Sequence, residues 1–211
     1  MKTDDLIAAL AADGAERRPP VSRGLSIALA AGGLVSLVVF MAALGPRLDL
    51  AWAFSTWRFD LKLAIVAVAL VLALIDCIQI ARPEVRSFAS RATWLVPILL
   101  LAAVAVEIAL VPAAEWGRKL VGTNSLFCLV TIPALSLAPL VAGLIAMRSG
   151  APSSPAAAGA AVGRLAAAIA ASLYAFHCFD DSPLFVATWY TLATVIVMAA
   201  GAAIGSRALK W

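Results

Sequence analysis

Residues 177–185 read HCFDDSPLF and hold the single histidine of the chain, one of its three cysteines and two adjacent aspartates. Imidazole, thiol and carboxylate are groups that bind metal ions, carry protons or change redox state. Two further thiols, Cys77 and Cys128, and the carboxylate of Glu107 stand in apolar runs elsewhere. Three uses of such residues compete. Two thiolates with imidazole or carboxylate can complete a tetrahedral shell around a soft metal ion. Cys128 and Cys178 can instead form a disulfide in an oxidising compartment. Without any chemistry, Asp181 or Ser182 caps a helix with Pro183 in its first turn, and each cysteine packs as a small apolar residue. Spacing leaves all three open. No C-x-x-C dithiol is present, and a lone histidine with no nucleophile motif or glycine-rich phosphate loop argues against an enzyme.

The elements that must position these groups lie in lipid. The chain has 211 residues, 64% of them hydrophobic and 13% charged, and its mean hydropathy is +1.00. A soluble domain of that length needs far more polar surface. Six candidate spans follow, at Gly24–Leu44, Phe59–Ile80, Thr93–Val111, Ser125–Met147, Ala156–His177 and Leu184–Ile204. Each approaches the ~20 apolar residues a transmembrane helix needs. The first follows a long charged tail with no convincing cleavage site, unlike a secretory signal. Pro97, Pro133 and Pro139 are expected to kink their helices, which membrane bundles tolerate. The fifth span, rich in Ala and Gly, suits close helix packing in the bundle interior. Arg164 lies within it.

The net charge of +4 is dispersed between apolar runs, which reads as topology information and not as a nucleic-acid surface. With the N-terminus inside, one side carries Lys2, Arg17, Arg18, Arg23, Arg82, Arg86, Arg91, Arg148, Arg207 and Lys210. The other carries only Arg47, Arg58, Lys62, Arg118 and Lys119, with Arg164 set aside. That bias predicts both termini in the cytoplasm. Cys128, His177, Cys178, Asp180 and Asp181 then share the outer level, with Glu107 near it and Cys77 a bilayer away. Asp76 is expected to pair with Arg82. The fold expected is an all-α, six-helix integral membrane bundle.

The first residues, MKTDDLIAALAADG, carry a different signal. Thr3 is a good N-cap, and Asp4 and Asp5 complement the dipole of a first turn. Leu6, Ile7 and Leu10 fall on one face, Asp13 ends the segment, and Gly14 with Pro19–Pro20 stops it. A short amphipathic helix at this length is marginal alone and docks on a partner or on the inner leaflet.

The tail MKTDDLIAALAAD, the six spans and the block HCFDDSPLFVATWY together resemble the NrsF-type negative regulators of bacterial extracytoplasmic-function sigma factors, over essentially the whole chain. The resemblance implies a membrane-bound anti-sigma factor. Its cytoplasmic N-terminus would hold the sigma factor inactive, and two outer cysteines, matching Cys128 and Cys178, would release it under heavy-metal or oxidative stress. Phe179 stands where proline is frequent in that block, which alters loop stiffness more than ligand chemistry.

Residues 1–23 are thus expected to form a sigma-binding tail, residues 24–205 a six-span sensor and residues 206–211 a second cytoplasmic tail. Thr3, Asp4, Asp5, Leu6, Ile7, Leu10 and Asp13 would meet the sigma factor. Cys128 and Cys178, with His177, Asp180 and Asp181 nearby, would sense. No resident cofactor is implied, only a thiophilic metal ion bound transiently. The expected surroundings are a bacterial inner membrane, with no direct nucleic-acid contact. A small metal or solute transporter would need polar groups at mid-membrane, and a thiol oxidoreductase a partner thiol and quinone-linked turnover.

Overall fold

The computed structural model describes Thr3 and residues 21–81, 92–150 and 152–209, and among these every regular element is helical. The helices are α1 (Val21–Ala43), α2 (Leu50–Ala53), α3 (Trp57–Ile80), α4 (Leu95–Leu110), α5 (Ala113–Val121), α6 (Ser125–Met147), α7 (Pro155–Ala175) and α8 (Pro183–Ala208). The last contains a π-helical turn over Val186–Tyr190. Among the described residues, five helical runs are long and apolar enough to cross a membrane, with α5 and α6 counted as one run. α4 is apolar but has only 16 residues, which reach about 24 Å at ~1.5 Å per residue. It stops because Pro112 forces Val111 into extended backbone, at φ −114° and ψ 133°. Pro97 sits in the first turn of α4 and not inside it, where its missing N–H costs nothing.

α7 is the axis of the bundle, packed against α8, α6, α3 and α1. Some 61% of its apolar window is buried, against 28% in each of α1 and α3, so the small residues do place this helix inside. Gly159 of α7 crosses Gly201 of α8 so closely that a Cβ on either would strike the other's carbonyl oxygen. Gly163 meets Val197 O in the same way, 2.6 Å from an added Cβ. This small-residue crossing lets two backbones touch where lipid offers no hydrophobic drive. Gly159→Leu is expected to cost on the order of 3 kcal/mol, because a backbone carbonyl cannot rotate away as a side chain can. Thermal unfolding in detergent checks this; a midpoint equal to the native one would show that the helices separate freely.

Pro133 and Pro139 lie inside α6, which continues through both. Pro139 has no N–H for the carbonyl of Leu135, and Ser36 of α1 donates its hydroxyl to that oxygen at 2.6 Å. A neighbouring hydroxyl thus satisfies the backbone group that proline freed. Deeper in the bundle, Asp76 of α3 pairs with Arg164 of α7. The expected partner, Arg82, lies outside the described residues. The intramembrane arginine therefore neutralises a buried carboxylate between two packed helices.

Candidate functional site

The link from α7 to α8, residues 176–182, is held from several directions. Phe176 O accepts from the Arg47 backbone N–H at 2.9 Å, and Cys178 O accepts from Lys62 Nζ at 2.9 Å and Arg47 Nη1 at 3.4 Å. Asp181 takes Arg47 Nη1 at 2.9 Å on one oxygen and Lys62 on the other. Arg47 also grips Asp49 bidentately, at 2.7 and 2.8 Å. Its guanidinium lies 4.7 Å from the centre of the Phe179 ring. Both cations are almost wholly buried, Arg47 at 5% and Lys62 at 2% exposure. The hydrogen bond to Asp49 is the main reason the Arg47 guanidinium is pushed above its ordinary range, and it holds the Asp49 carboxyl below its own.

Asp180 points the other way. Its carboxylate accepts from the backbone N–H of Asn124 at 2.8 Å and of Thr123 at 3.0 Å, at the start of α6. A helix N-terminus has unpaired N–H groups and partial positive charge, so an anion is favourable there. Gly122 makes room with φ at +61°; a Cβ there would lie 2.7 Å from the Asp180 carboxyl carbon and 2.6 Å from the Phe185 ring. Glu107, fully buried, receives Arg58 Nε at 2.9 Å and the Ser182 hydroxyl at 3.3 Å, with Lys119 Nζ at 3.6 Å. Residues 179–182 form one wall of a cleft of about 310 Å³ that also exposes Arg58, Arg118 and Lys119.

The expected local cap is therefore only half realised. Pro183 does occupy the first turn of α8, and Ser182 its N-cap position, but neither Asp181 nor Ser182 caps that helix through its side chain. The long-range partners Arg47, Lys62 and Glu107 take both groups. Asp180 caps α6 instead.

Beneath this layer lie the thiols. Cys128, in the first turn of α6, and Cys178 are both 0% exposed and share one apolar cluster with Phe40, Tyr174, Phe185 and Tyr190. Cys77 belongs to a separate cluster with Leu25, Ala81 and Met147. All three thiols are free. Burial pushes the Cys178 thiol up, against the opposing pull of Lys62. His177 turns away: its Nδ1 is 2.9 Å from Gly45 O, so Nδ1 carries the proton and donates, and its ring lies beside Phe127 and Tyr174. Among the described residues no three His, Cys, Asp or Glu side chains converge to hold a metal ion. The structure thus brings Cys128 and Cys178 together and commits His177, Asp180 and Asp181 to the frame around them. Of the tail residues only Thr3 is described, exposed and helical; Asp4, Asp5, Leu6, Ile7, Leu10 and Asp13 lie outside the described residues.

In the sequence Arg47 and Lys62 read only as topology charges. Lys62 falls inside an apolar span, the same signal that singled out Glu107. The two tyrosines of the thiol cluster carry no sequence signal, since aromatic residues in a span read as packing.

The model of a family described as NrsF, "Negative regulator of sigma F", matches residues 10–211. The chain belongs to the NrsF family. It is 32% identical over 219 residues to the "Anti-sigma-F factor NrsF" of Caulobacter vibrioides, covering all of both chains. It is 31% identical over 214 residues to the "Probable anti-sigma-F factor NrsF" of Azospira oryzae, again covering all of both. No solved structure matches. Membership of the NrsF family makes the chain a negative regulator of a sigma factor and not an enzyme. The NrsF family match begins at residue 10, after Thr3–Ile7.

Proposed function

We propose that this protein is a bacterial inner-membrane anti-sigma factor that holds an extracytoplasmic-function sigma factor on residues 1–23 and releases it when Cys128 and Cys178 react with a thiophilic metal ion or an oxidant. The full-length similarity to anti-sigma-F factors supports the partner class. The observation that carries the sensor half is the burial of Cys128 and Cys178, and not Cys77, in one cluster under the ion-paired link. Six spans, with both termini cytoplasmic and α4 as a short third crossing, fit the distribution of Lys and Arg.

Release is a problem of differential binding: the two states of the sensor must differ in their affinity for sigma. Joining Cys128 to Cys178 draws the start of α6 toward the link after α7. The same link is tied to α3 through Lys62 and to the α1–α2 connection through Arg47. α1 follows the tail directly and packs along α6, with Gly32 so close that an added Cβ would lie 2.6 Å from Pro139 Cα. A shift of α6 therefore moves α1 and the tail attached to it. A difference of about 3 kcal/mol between the states changes affinity on the order of a hundredfold, within reach of a metal–thiolate site or a new disulfide.

In the tail, Leu6, Ile7 and Leu10 would enter a groove of the sigma factor, with Thr3 as cap and Asp4, Asp5 and Asp13 facing basic residues. Leu10→Asp places a charge in that apolar contact. It is expected to abolish co-purification of the sigma factor with the membrane fraction and to raise sigma-dependent transcription without stress. Undiminished co-purification would remove tail docking from the account.

A further inference from the structure

Two buried hydroxyls near the thiols, Tyr174 Oη and Tyr190 Oη, make no hydrogen bond of ordinary geometry among the described residues, and the side-chain acceptor that each faces is the Cys178 sulfur. Tyr174 lies in the last turn of α7, and Tyr190 closes the π-helical turn of α8. Their rings are 5.9 Å apart. Both belong to the cluster that holds Cys128 and Cys178, and both hydroxyls lie within electrostatic reach of both sulfurs. A neutral thiol is a weak acceptor, so such a donor recovers little of the roughly 1–3 kcal/mol that burying an unsatisfied hydroxyl costs. Phenylalanine would fill the same space without that cost. π-helical turns, moreover, concentrate at functional sites.

Sulfur chemistry accounts for the pair. A neutral thiol is a weak acceptor, whereas hydrogen bonds to a charged acceptor are about twice as strong as neutral ones. We infer that Tyr174 and Tyr190 are positioning residues of the sensing site, donors held for Cys128 and Cys178 when the two sulfurs bind a soft divalent cation. This inference rests on the sensor reading above. Binding exchanges two S–H protons, released to solvent, for one divalent cation; two metal–sulfur bonds form, the sulfurs become thiolate ligands whose negative charge the cation balances, and no electron moves. Each metal-bound sulfur keeps lone pairs that accept a phenol O–H. Disulfide formation would instead remove two electrons and two protons to an external oxidant and leave neutral sulfurs, for which the phenols do nothing. The two hydroxyls therefore favour a metal-bound state over a disulfide, and they do so without His177, Asp180 or Asp181 leaving their partners.

The test uses the full-length protein in detergent with cadmium chloride as the probe, comparing native protein, Tyr174→Phe, Tyr190→Phe and the double variant. The thiolate-to-cadmium absorption band and the cadmium-induced rise in Tm report binding, and free-thiol counts after diamide treatment report disulfide formation. The double variant is expected to keep or raise its Tm without metal, to lose about tenfold or more in cadmium affinity, and to form the disulfide as readily as the native protein. Unchanged cadmium affinity would overturn the inference. So would a lower Tm without metal, which would mark the hydroxyls as structural, or a native protein with no cadmium–thiolate band. Failure of the sensor reading looks different: cadmium then binds the native protein with help from the phenols, yet the sigma factor stays bound.

Discussion

Asp181→Ala is expected to destabilise the folded bundle by about 3–5 kcal/mol, the cost of leaving buried charge without its partner. Asp181 is the carboxylate that Arg47 and Lys62 share, and Asp49 then remains to Arg47 alone. Lys62 would be left with the Cys178 carbonyl as its described acceptor, in a place with 1% side-chain exposure. Desolvation of an ammonium there is not recovered from a neutral oxygen. Adding Lys62→Met to Asp181→Ala is expected to restore part of the loss, because an apolar side chain of similar length needs no counter-charge. Thermal or denaturant unfolding in detergent measures both. A loss below about 1 kcal/mol would place the pair in water, where exposed ion pairs contribute little, and would remove the clamp from the account.

That clamp was not legible in the sequence, for a physical reason. Arg47 and Lys62 stand 134 and 119 residues from Asp181, and local rules favour the nearest use of each polar side chain. Asp181 and Ser182 before Pro183 read as a cap, yet the bundle offered Asp181 two buried cations and Ser182 a carboxylate. What was legible follows from short-range pattern. Apolar length placed α6 at Ser125–Met147, and Ala and Gly put α7 inside; alternating sides gave Cys128 and Cys178 only a common level, and the fold adds that they share one cluster. α5 escaped because nine residues containing Glu115, Arg118 and Lys119 resemble a polar connection. Its partner is distant in sequence: Trp189 of α8 donates to Leu120 O at 2.8 Å.

Cys178→Ser is expected to leave the protein folded and the sigma factor bound but to abolish release. Serine is close to cysteine in size, and the backbone contacts of residue 178 with Tyr174, Lys62 and Arg47 do not involve the sulfur. Burial pushes the Cys178 thiol up, which disfavours the thiolate form that metal ions and oxidants engage. Cys128→Ser should behave in the same way, since one sulfur alone cannot bridge α6 to the link. Cys77→Ser should respond normally, because Cys77 packs in the other cluster.

The most direct measurement is the amount of sigma factor retained on membrane vesicles from cells that express the protein, before and after cadmium or peroxide. Native protein and Cys77→Ser should lose the sigma factor on treatment, whereas Cys128→Ser and Cys178→Ser should keep it. Equal release from all four, or no sigma factor on the untreated native membranes, would contradict the account.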